Sequence, residues 1–298
     1  MKKLKDRVAV VTGAAGGIGR AMVGRFVDAG MKVVLAGINA ARIETVVEEF
    51  KDSGARVLGV PTDVSDPGQV EELARRTLDE FGAVHVLCNN AGVAYGGPGS
   101  WETPLEAWKW VLDVNLMGVL HGIHTFIPIM LEQGDEAHVV NTASNSGLIM
   151  NSYAVPYGVS KHAVVALSES LHLELMQRNS RVKVSVLCPG PVNTDILNAS
   201  QRNLPGCVAV PAQATPEETI FKKAYEIYLE RGLDPQIVGQ KVLEAIREEQ
   251  FYIITHDYNS AIETRMQNIL NAKNPEPQPP TPEFLNIVEA IASSNDRR

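Results

Sequence analysis

Two side chains that could move a proton, Tyr157 and Lys161, lie four residues apart in the middle of the sequence. At this spacing they would lie on one face of a helix, one turn apart. An ammonium group beside a phenol favours the phenolate, so we expect the pKa of Tyr157 to fall below its reference value of about 10. Such a phenol can give or take a proton near neutral pH. The pair therefore predicts acid–base chemistry, although the same spacing also occurs by chance in structural helices.

A glycine-rich turn near the N-terminus is a second chemical signal. The apolar run 8–11 leads directly into Thr-Gly-Ala-Ala-Gly-Gly-Ile-Gly at residues 12–19, where a helical pattern begins. Glycines allow a tight turn and a close approach of the backbone to a ligand. The N–H groups and the dipole of the helix start then suit a pyrophosphate. The turn follows the first strand of a βαβ series, which favours a dinucleotide site over a turn without a ligand.

Short apolar runs alternate with longer amphipathic segments through the first two thirds of the chain. Strands are predicted at residues 7–11, 32–36, 56–60, 84–88, 138–142 and 183–187. Helices are predicted between them, at residues 18–29, 41–53, 67–81, 105–132 and 155–178. Runs that are apolar at almost every position are typical of strands buried on both faces. Repeated βαβ units require parallel pairing and right-handed crossovers, which predicts an α/β fold with a doubly wound parallel sheet.

The alternation changes after the sixth strand. Residues 198–216 have no clear period and are predicted to form a mobile loop. Further helices are predicted at 216–231, 235–249 and 257–271, and a strand at 251–255 brings the sheet to about seven strands. A proline-rich spacer at 274–282 precedes a short amphipathic segment at 283–292. We therefore predict one domain over residues 1–272 and a proline-rich extension over residues 273–298.

Composition narrows the classes of function. The chain has 298 residues, 45% of them hydrophobic, and a formal net charge of −8, which argues against a nucleic-acid-binding surface. The sequence has neither the apolar core of a secretory signal nor the roughly 18 uninterrupted apolar residues of a membrane span. We expect a cytoplasmic protein without a membrane partner. Cys88, Cys188 and Cys207 have no CxxC spacing, and no further ligand accompanies His121 and His124, so neither a disulfide nor a metal site is predicted.

Four features in the right order resemble the short-chain dehydrogenase/reductase family, in its branch of single-domain enzymes. They are Thr12-Gly13-xxx-Gly17-x-Gly19, Asn89-Asn90-Ala91-Gly92, Ser144, and Tyr157-xxx-Lys161. The resemblance covers roughly residues 5–194 and implies a Rossmann-fold oxidoreductase that uses NAD or NADP. It also implies a homodimer or homotetramer built on the long helices that contain Asn115 and Tyr157.

The resemblance implies a role for four polar residues in hydride transfer between C4 of a nicotinamide and a carbinol carbon. Tyr157 would move the proton, and Lys161 would lower the pKa of Tyr157 and bond the nicotinamide ribose. Ser144 would hydrogen-bond the substrate oxygen, and Asn115 would hold a water that extends the proton path to solvent. The alternatives are that Ser144 is a loop hydroxyl bonded to its own backbone, and that Asn115 caps a helix kink.

The same resemblance implies a dinucleotide site made by the loops that follow the strands. Besides Tyr157 and Lys161, the residues implied there are Gly13, Gly16, Gly17, Ile18, Gly19, Gly37, Ile38, Asn39, Asp63, Val64, Asn90, Ala91, Gly92, Pro189, Gly190, Val192 and Thr194. Asp63 would contact the adenine ring. The Asn side chains at 89–90 would mainly tie neighbouring strands, and the small residues after them would leave room for the adenosine ribose.

The end of the second strand leaves the choice of cofactor open. An enzyme of this family that prefers NAD carries an Asp where this chain has Gly37, and one that prefers NADP usually carries an Arg where it has Ile38. Without the carboxylate, a 2′-phosphate is not repelled. Arg42, Asn39 or Arg20 could bind that phosphate. We expect NADP, or both cofactors, to be used.

The residues that flank the predicted catalytic groups are mostly apolar and include no Arg or Lys. They are Val93, Ala94, Tyr95, Ser146, Leu148, Met150, Asn151, Pro191, Val192 and Asn193. This set favours a lipophilic or aromatic secondary alcohol or ketone as the small-molecule substrate. The family places its substrate lid at about residues 193–231, although a surface loop without that role is the alternative. The proline-rich extension is expected to dock onto a neighbouring subunit.

Two other functions fit the same fold. A catalytically idle dinucleotide-binding protein could act as a sensor or scaffold, but the intact Asn115, Ser144, Tyr157 and Lys161 argue against it. A lyase or epimerase would usually carry the glycine spacing of the extended branch of the family, which this sequence lacks. The favoured function is that of an oxidoreductase for a secondary alcohol/carbonyl pair.

Overall fold

The computed structural model describes residues 1–97, 99–150, 153–208, 216–277 and 279–295. Its strands are β1 Val8–Thr12, β2 Lys32–Gly37, β3 Val57–Pro61, β4 Val86–Asn89, β5 Ala137–Thr142, β6 Val182–Cys188 and β7 Tyr252–Ile254. They form one seven-stranded sheet in the order β3-β2-β1-β4-β5-β6-β7, with all pairs parallel. The predicted doubly wound parallel sheet is confirmed.

Helices surround this sheet. They are α1 Gly17–Asp28, α2 Ala40–Asp52, α3 Pro67–Phe81, α4 Leu105–Leu112, α5 Gly118–Gln133, α6 Val155–Gln177, α7 Ile196–Arg202, α8 Pro216–Glu230, α9 Pro235–Glu248, α10 Asn259–Leu270 and α11 Pro282–Asn295. Helix α3 begins as its sequence predicts, because Asp66 accepts the N–H groups of Gly68 and Gln69 and Pro67 occupies the first helical position.

The sheet carries an apolar core on each face, which explains why its strands are apolar throughout. In β1, Ala9 and Val11 belong to one core cluster, whereas Val10 between them belongs to the other. Phe26 of α1 is completely buried in the first cluster, and Phe126 of α5 is completely buried in the second. Burial of a side chain of this size stabilises the fold by roughly 1.5–3 kcal/mol. The two layers hold the sheet, and therefore the ends of its strands, in place.

The strand order reverses between β1 and β4, and this reversal determines where the site lies. β1 pairs with β2 on one side and with β4 on the other. The loops that follow β1 and β4 diverge from such a point and leave a crevice at the carboxyl edge of the sheet. Thr12, Asn89 and Thr142 are the last residues of their strands at this edge. The predicted site residues directly after them are thus brought together.

The middle helix differs from its prediction as one continuous element. A π turn at Asp113–Met117 separates α4 from α5, and Asn115 within it is completely buried. The segment Leu105–Gln133 is long and apolar enough, by length and composition alone, to cross a membrane. Buried core helices of globular proteins pass the same test, and Phe126 and Met130 of this segment are completely buried. Its apolar face therefore covers the sheet.

The predicted loop at 198–216 is wrong at its start, because α7 continues to Arg202. The buried hydroxyl of Ser200 anchors this helix, since it accepts the Ala94 N–H at 2.8 Å. This bond attaches α7 to the chain that follows β4. Residues 209–215, which belong to the predicted loop, lie outside the described part of the chain.

The C-terminal helix α11 folds back onto its own chain. Its buried residues Phe284, Ile287 and Ile291 form one apolar cluster with Ala224 of α8. The apolar face of the extension is thus covered within its own chain, and docking of the extension onto a neighbouring subunit stays a prediction. An amphipathic segment needs a partner for its apolar face, and here α8 of the same chain is that partner.

Candidate active site

The turn between β1 and α1 requires glycine at three positions. Gly13 and Gly17 have φ values of +65° and +50°, in the left-handed region that favours glycine. A Cβ on Gly19 would lie 2.3 Å from the carbonyl oxygen of Gly13. The N-cap residue of α1 is Gly16, so no side chain caps the helix, and its first N–H groups fit a phosphate. The partly buried Ile18 side chain packs against the core.

The segment after β4 is fastened to both neighbouring strands. Thr12 Oγ1 accepts the N–H groups of Asn90 and Ala91 at 2.9 and 3.0 Å. Asn90 Nδ2 donates to the carbonyl oxygen of Thr12 at 3.0 Å. On the other side, Asn89 Nδ2 donates to Asn141 Oδ1 at 2.9 Å. These bonds agree with the predicted strand-tying role of the Asn pair.

Asn115 connects the π turn to two other elements. Its Oδ1 accepts the Val93 N–H at 2.8 Å, and its Nδ2 donates to the Val93 carbonyl at 2.9 Å and to Ser160 Oγ at 3.1 Å. Both amide hydrogens are used, so a water in the predicted proton path would bind the remaining Oδ1 lone pair or the backbone carbonyl. A Cβ on Gly92 would lie 3.2 Å from Asn115 Oδ1 and 3.4 Å from Lys161 Nζ. Gly92 therefore keeps the gap between these two groups open.

Ser144, Tyr157 and Lys161 come together between the end of β5 and the first turns of α6. The Ser144 hydroxyl hydrogen-bonds the phenol of Tyr157. Lys161 Nζ lies 5.5 Å from the centre of the Tyr157 ring and donates to the carbonyl oxygen of Thr142 at 2.9 Å. Ser144 and Lys161 are both buried. The structure thus assembles the three groups that the sequence placed in one site.

Burial has the largest effect on the pKa values of Tyr157 and Lys161. It raises the pKa of Tyr157, whereas the hydrogen bond with Ser144 acts in the opposite direction and is the smaller effect. The prediction that the pKa of Tyr157 falls is therefore wrong for the protein without a bound cofactor. Burial also lowers the pKa of Lys161 to about 8. The attraction of this ammonium does not offset the loss of solvation that the phenolate suffers.

Two polar residues of the site were not predicted from the sequence, Asn145 and Tyr258. Ser144 Oγ donates to Asn145 Oδ1 at 2.9 Å, and the Asn145 side chain hydrogen-bonds the Tyr258 phenol. Because a hydroxyl has one proton, Ser144 donates either to Asn145 or to Tyr157 at any moment. Tyr258 follows β7, and its position after a parallel strand was a signal that could have revealed it.

The Ser144 hydroxyl also accepts the Ser146 N–H at 3.2 Å. The alternative in which Ser144 bonds its own backbone is therefore present alongside its contact with Tyr157. One oxygen serves both arrangements, because it accepts from the backbone while its proton is directed to a neighbouring side chain.

The possible phosphate ligands at the end of β2 differ in their surroundings. Asn39 caps α2, where its Oδ1 accepts the Arg42 N–H at 3.0 Å. The Arg20 guanidinium is paired with Glu49 at 2.5 Å. The Arg42 guanidinium makes no hydrogen bond within the described residues, and its Nη2 lies 4.0 Å from the Cβ position of Gly16. Arg42 is thus the available cation beside the glycine turn.

The predicted adenine side of the site also contains Gly37, Ile38, Asp63 and Val64. Ile38 is 56% exposed and Val64 is buried. Asp63 Oδ1 accepts the N–H and the hydroxyl of Ser65 at 2.9 and 2.7 Å. Its other carboxylate oxygen remains for a ligand donor such as the adenine amino group.

The loop that follows β6 lies against the glycine turn. The Pro189 carbonyl accepts the Asn145 N–H at 2.8 Å, which attaches this loop to the residue after Ser144. The Thr194 Cγ2 atom lies 2.9 Å from the Cβ position of Gly17. Val192 is buried. A cavity of about 460 Å³ is lined by this loop, by α1 and by the start of α9. The predicted residues after β6 therefore adjoin the predicted pyrophosphate turn.

The predicted substrate-facing residues differ in exposure. Val93 and Tyr95 are buried, whereas Met150 is 47% exposed. The buried Tyr95 hydroxyl has no hydrogen-bond partner within the described residues. Asn151, which also belongs to the predicted set, lies outside them. A buried hydroxyl that lacks a protein partner can serve a ligand.

Gly19→Ala is expected to abolish dinucleotide binding, because its Cβ would collide with the Gly13 carbonyl at 2.3 Å. Gly24→Ala is the control in the same helix, since a Cβ there meets nothing closer than Phe50 at 4.0 Å. The control should bind normally and gain about 0.5–1 kcal/mol of unfolding free energy. Titration of both variants with NADH and NADPH, followed by cofactor fluorescence, measures binding. Unchanged affinity in Gly19→Ala would contradict the assigned turn.

Lys161→Met is expected to be more stable than the wild type at pH 7. The pKa of Lys161 is about 8 in the fold and has a reference value of 10.5, a difference that corresponds to up to about 3 kcal/mol. Between pH 8 and pH 10.5, Lys161 is protonated in the unfolded chain but largely neutral in the folded one. The free energy of unfolding of the wild type therefore rises with pH over this range. The advantage of the variant should therefore shrink between pH 8 and 10.5. Urea unfolding of both proteins at pH 7 and 10 measures it, and a pH-independent difference would refute the assigned cause.

Known proteins share this arrangement of sequence and fold. A family model described as short chain dehydrogenase matches residues 7–205. A CLA biosynthesis dehydrogenase/reductase of Lactiplantibacillus plantarum is 31% identical over 280 residues, which are 93% of this chain and 97% of the relative. A 1-deoxy-11-beta-hydroxypentalenate dehydrogenase of Streptomyces exfoliatus is 40% identical over 214 residues, which are 70% of this chain and 77% of the relative.

A solved structure has the same fold as this chain over most of its length. The crystal structure of a short chain dehydrogenase/reductase from Burkholderia phymatum in complex with NAD has a TM-score of 0.89 and 40% sequence identity. The comparison covers 94% of this chain and 100% of that one. The family match at 7–205 includes the glycine turn, Asn115, Ser144, Tyr157 and Lys161. The chain belongs to the short-chain dehydrogenase family.

Proposed function

We propose that this protein transfers a hydride between a nicotinamide dinucleotide and a secondary alcohol or ketone, with Tyr157 as the acid–base group. The observation that carries the proposal is the contact of Tyr157 with the buried Ser144 and Lys161 at the carboxyl edge of the sheet. The glycine turn that suits a pyrophosphate follows β1 at the same edge. A hydride-transfer site needs these two parts side by side, since the reacting carbons must be held in near-attack geometry.

The bound nicotinamide supplies or accepts the hydride at C4, and the protein does the rest of the chemistry. In alcohol oxidation, the Tyr157 phenolate takes the hydroxyl proton while the carbinol carbon loses its hydride. The Ser144 hydroxyl donates a hydrogen bond to the substrate oxygen. The proton then leaves along Lys161 and a water held at Asn115. In ketone reduction each of these transfers runs backwards.

Burial of Tyr157 sets the pH response that we expect. Because burial raises the pKa of Tyr157, the protonated phenol is favoured near neutral pH. This is the form that ketone reduction uses, whereas alcohol oxidation uses the phenolate. Oxidation should therefore accelerate as the pH rises towards the pKa of Tyr157, and reduction should slow over the same range.

The substrate that we propose is lipophilic or aromatic. Val93 and Tyr95 contribute apolar side chains to the segment that Asn115 holds after β4, and Tyr153 adds an aromatic ring that packs against Phe221 of α8. The Streptomyces relative is named for the dehydrogenation of a hydroxypentalenate, which supports a hydroxylated carbon as the reacting centre. Apolar walls with few polar groups orient such a molecule through its single oxygen.

We further propose that NADP is accepted alongside NAD. The end of β2 carries Gly37 in place of a carboxylate, so a 2′-phosphate meets no like charge there. The Arg42 guanidinium beside the glycine turn is the cation that would bind it. The related Burkholderia structure contains NAD at 40% identity, which supports NAD as the second cofactor.

The proposed assembly is a homodimer or homotetramer in the cytoplasm. The surfaces of α5 and α6 expose apolar side chains, with Leu120 37%, Val159 39%, Leu173 51% and Met176 58% exposed. Exposed apolar side chains on these two long helices suit a helix–helix interface between subunits.

Tyr157→Phe is expected to lose nearly all turnover, because the ring stays but no proton can be transferred. NADH and NADPH should bind to it with wild-type affinity. Tyr252→Phe is the matched control, since this exposed phenol bonds Glu169 at 2.6 Å at the far edge of the sheet. The measurement is initial rates at the reduced-nicotinamide absorbance band with a panel of hydrophobic alcohols and ketones. Near-normal rates in Tyr157→Phe would exclude the assignment.

Arg42→Ala is expected to lower kcat/KM for NADP roughly tenfold, about 1.4 kcal/mol, and to leave that for NAD within about twofold. Arg20→Ala is the matched control, because Arg20 is already paired with Glu49. Steady-state rates with each cofactor at a saturating substrate concentration make the comparison. Equal losses with NADP and NAD, or an equal effect of Arg20→Ala, would show that Arg42 does not read the 2′-phosphate.

A further inference from the structure

The helix α8 lies outside residues 7–205, which the family model matches. The packing of α8 is therefore taken from the structure of this chain. It falls within the predicted lid at 193–231. Among the described elements, its principal packing partner is α11, and the sheet contributes little to its packing. The position of α8 therefore depends on the C-terminal helix.

Phe284 is the centre of the contact between the two helices. Its side chain is buried, and its ring centre lies 5.1 Å from that of Phe221, 5.6 Å from that of Tyr228 and 6.5 Å from that of Tyr225. All three pairs have the edge-to-face geometry that aromatic rings favour. The Thr281 hydroxyl adds a hydrogen bond of 3.3 Å to the Tyr228 phenol. One ring of α11 thus engages three successive turns of α8.

The same aromatic chain continues to the active site. The Phe221 ring lies 4.3 Å from the ring of Tyr153, which precedes the catalytic Tyr157 by four residues. Tyr153 also lies over the chain after β4, where a Cβ on Gly96 would meet its ring at 2.8 Å. The path from Phe284 through Phe221 to Tyr153 therefore ends between the two segments that border the substrate side of the site.

A second aromatic ring of α8 is only partly covered by α11. The Tyr225 ring centre lies 6.5 Å from that of Phe284, and Tyr225 is 37% exposed. Part of its surface therefore remains for a ligand.

We propose that Phe284 is a specificity-determining residue: it braces α8 against Tyr153 and so sets how large a substrate is held at Tyr157. This inference rests on the proposed oxidoreductase function. A bulky substrate fills the space under α8 and depends on that helix being in place. A small substrate contacts only the catalytic groups and is indifferent to it. Phe284 itself touches neither the substrate nor the cofactor and acts through Phe221 and Tyr225.

The test compares Phe284→Ala with Leu285→Ala, whose side chain is 44% exposed on the same helix. Benzhydrol is the bulky probe and 2-butanol the small one, each oxidised at saturating NAD or NADP. Phe284→Ala should raise the KM for benzhydrol about tenfold, with kcat and the KM for 2-butanol changed by no more than about twofold. Phe284→Leu, which keeps an apolar side chain there, should give an intermediate KM. Leu285→Ala should match the wild type.

Hydrogen–deuterium exchange of the same proteins separates the inference from the proposed function. Phe284→Ala should accelerate exchange in residues 219–230 and leave β1 and β4 protected, whereas Leu285→Ala should not. Equal KM changes for both alcohols, or unchanged exchange in residues 219–230, would overturn the role of Phe284. A wild type that binds cofactor but oxidises neither alcohol would count against the proposed function. In that case the exchange result alone would show whether Phe284 holds α8 in place.

Discussion

The candidate active site of this protein depends on how one buried amide, that of Asn115, is hydrogen-bonded. It holds both backbone groups of Val93 after β4 and the Ser160 hydroxyl in α6. The helix α6 carries Tyr157 and Lys161, so this amide fixes the distance between that helix and the chain that follows β4. An unpaired amide at full burial would be destabilising by about 1–3 kcal/mol. The π turn at Asp113–Met117 places the amide where every hydrogen is satisfied, as π turns often do at functional sites.

Burial and charge act against each other around Tyr157 and Lys161. The low dielectric of the site disfavours the phenolate and the ammonium alike, and it raises the pKa of Tyr157 while lowering that of Lys161. Ser144 adds a choice of hydrogen-bond partners, since its one proton can serve Asn145 or Tyr157. In the proposed reaction, a substrate oxygen would compete for that same proton.

The sheet could be read from the sequence because its strands are buried on both faces and are apolar at almost every position. The glycine turn was predicted from the positions of the glycines after β1. The pairing of Tyr157 with Lys161 was predicted from their spacing of four residues, which indicates proximity on a helix. Spacing does not report burial, so the direction of the Tyr157 pKa was wrong. The π turn was missed because the apolar pattern continues through residues 105–132 and the bonds of Asn115 are long-range. Amphipathicity showed that α11 needs a partner, but only the fold shows that Phe284 finds it in α8.

The central claim is that a hydride, not a proton, moves between the substrate carbon and the cofactor at the site of Tyr157. It is tested most directly with hydrophobic secondary alcohols, such as benzhydrol, that carry deuterium on the carbinol carbon. After incubation with the wild-type enzyme and NAD or NADP, the reduced cofactor is analysed by mass spectrometry and proton NMR. The account predicts one deuterium at C4 of the nicotinamide, on a single face. Deuterium that is released to water, or that stays in the alcohol while bound cofactor remains oxidised, would contradict it.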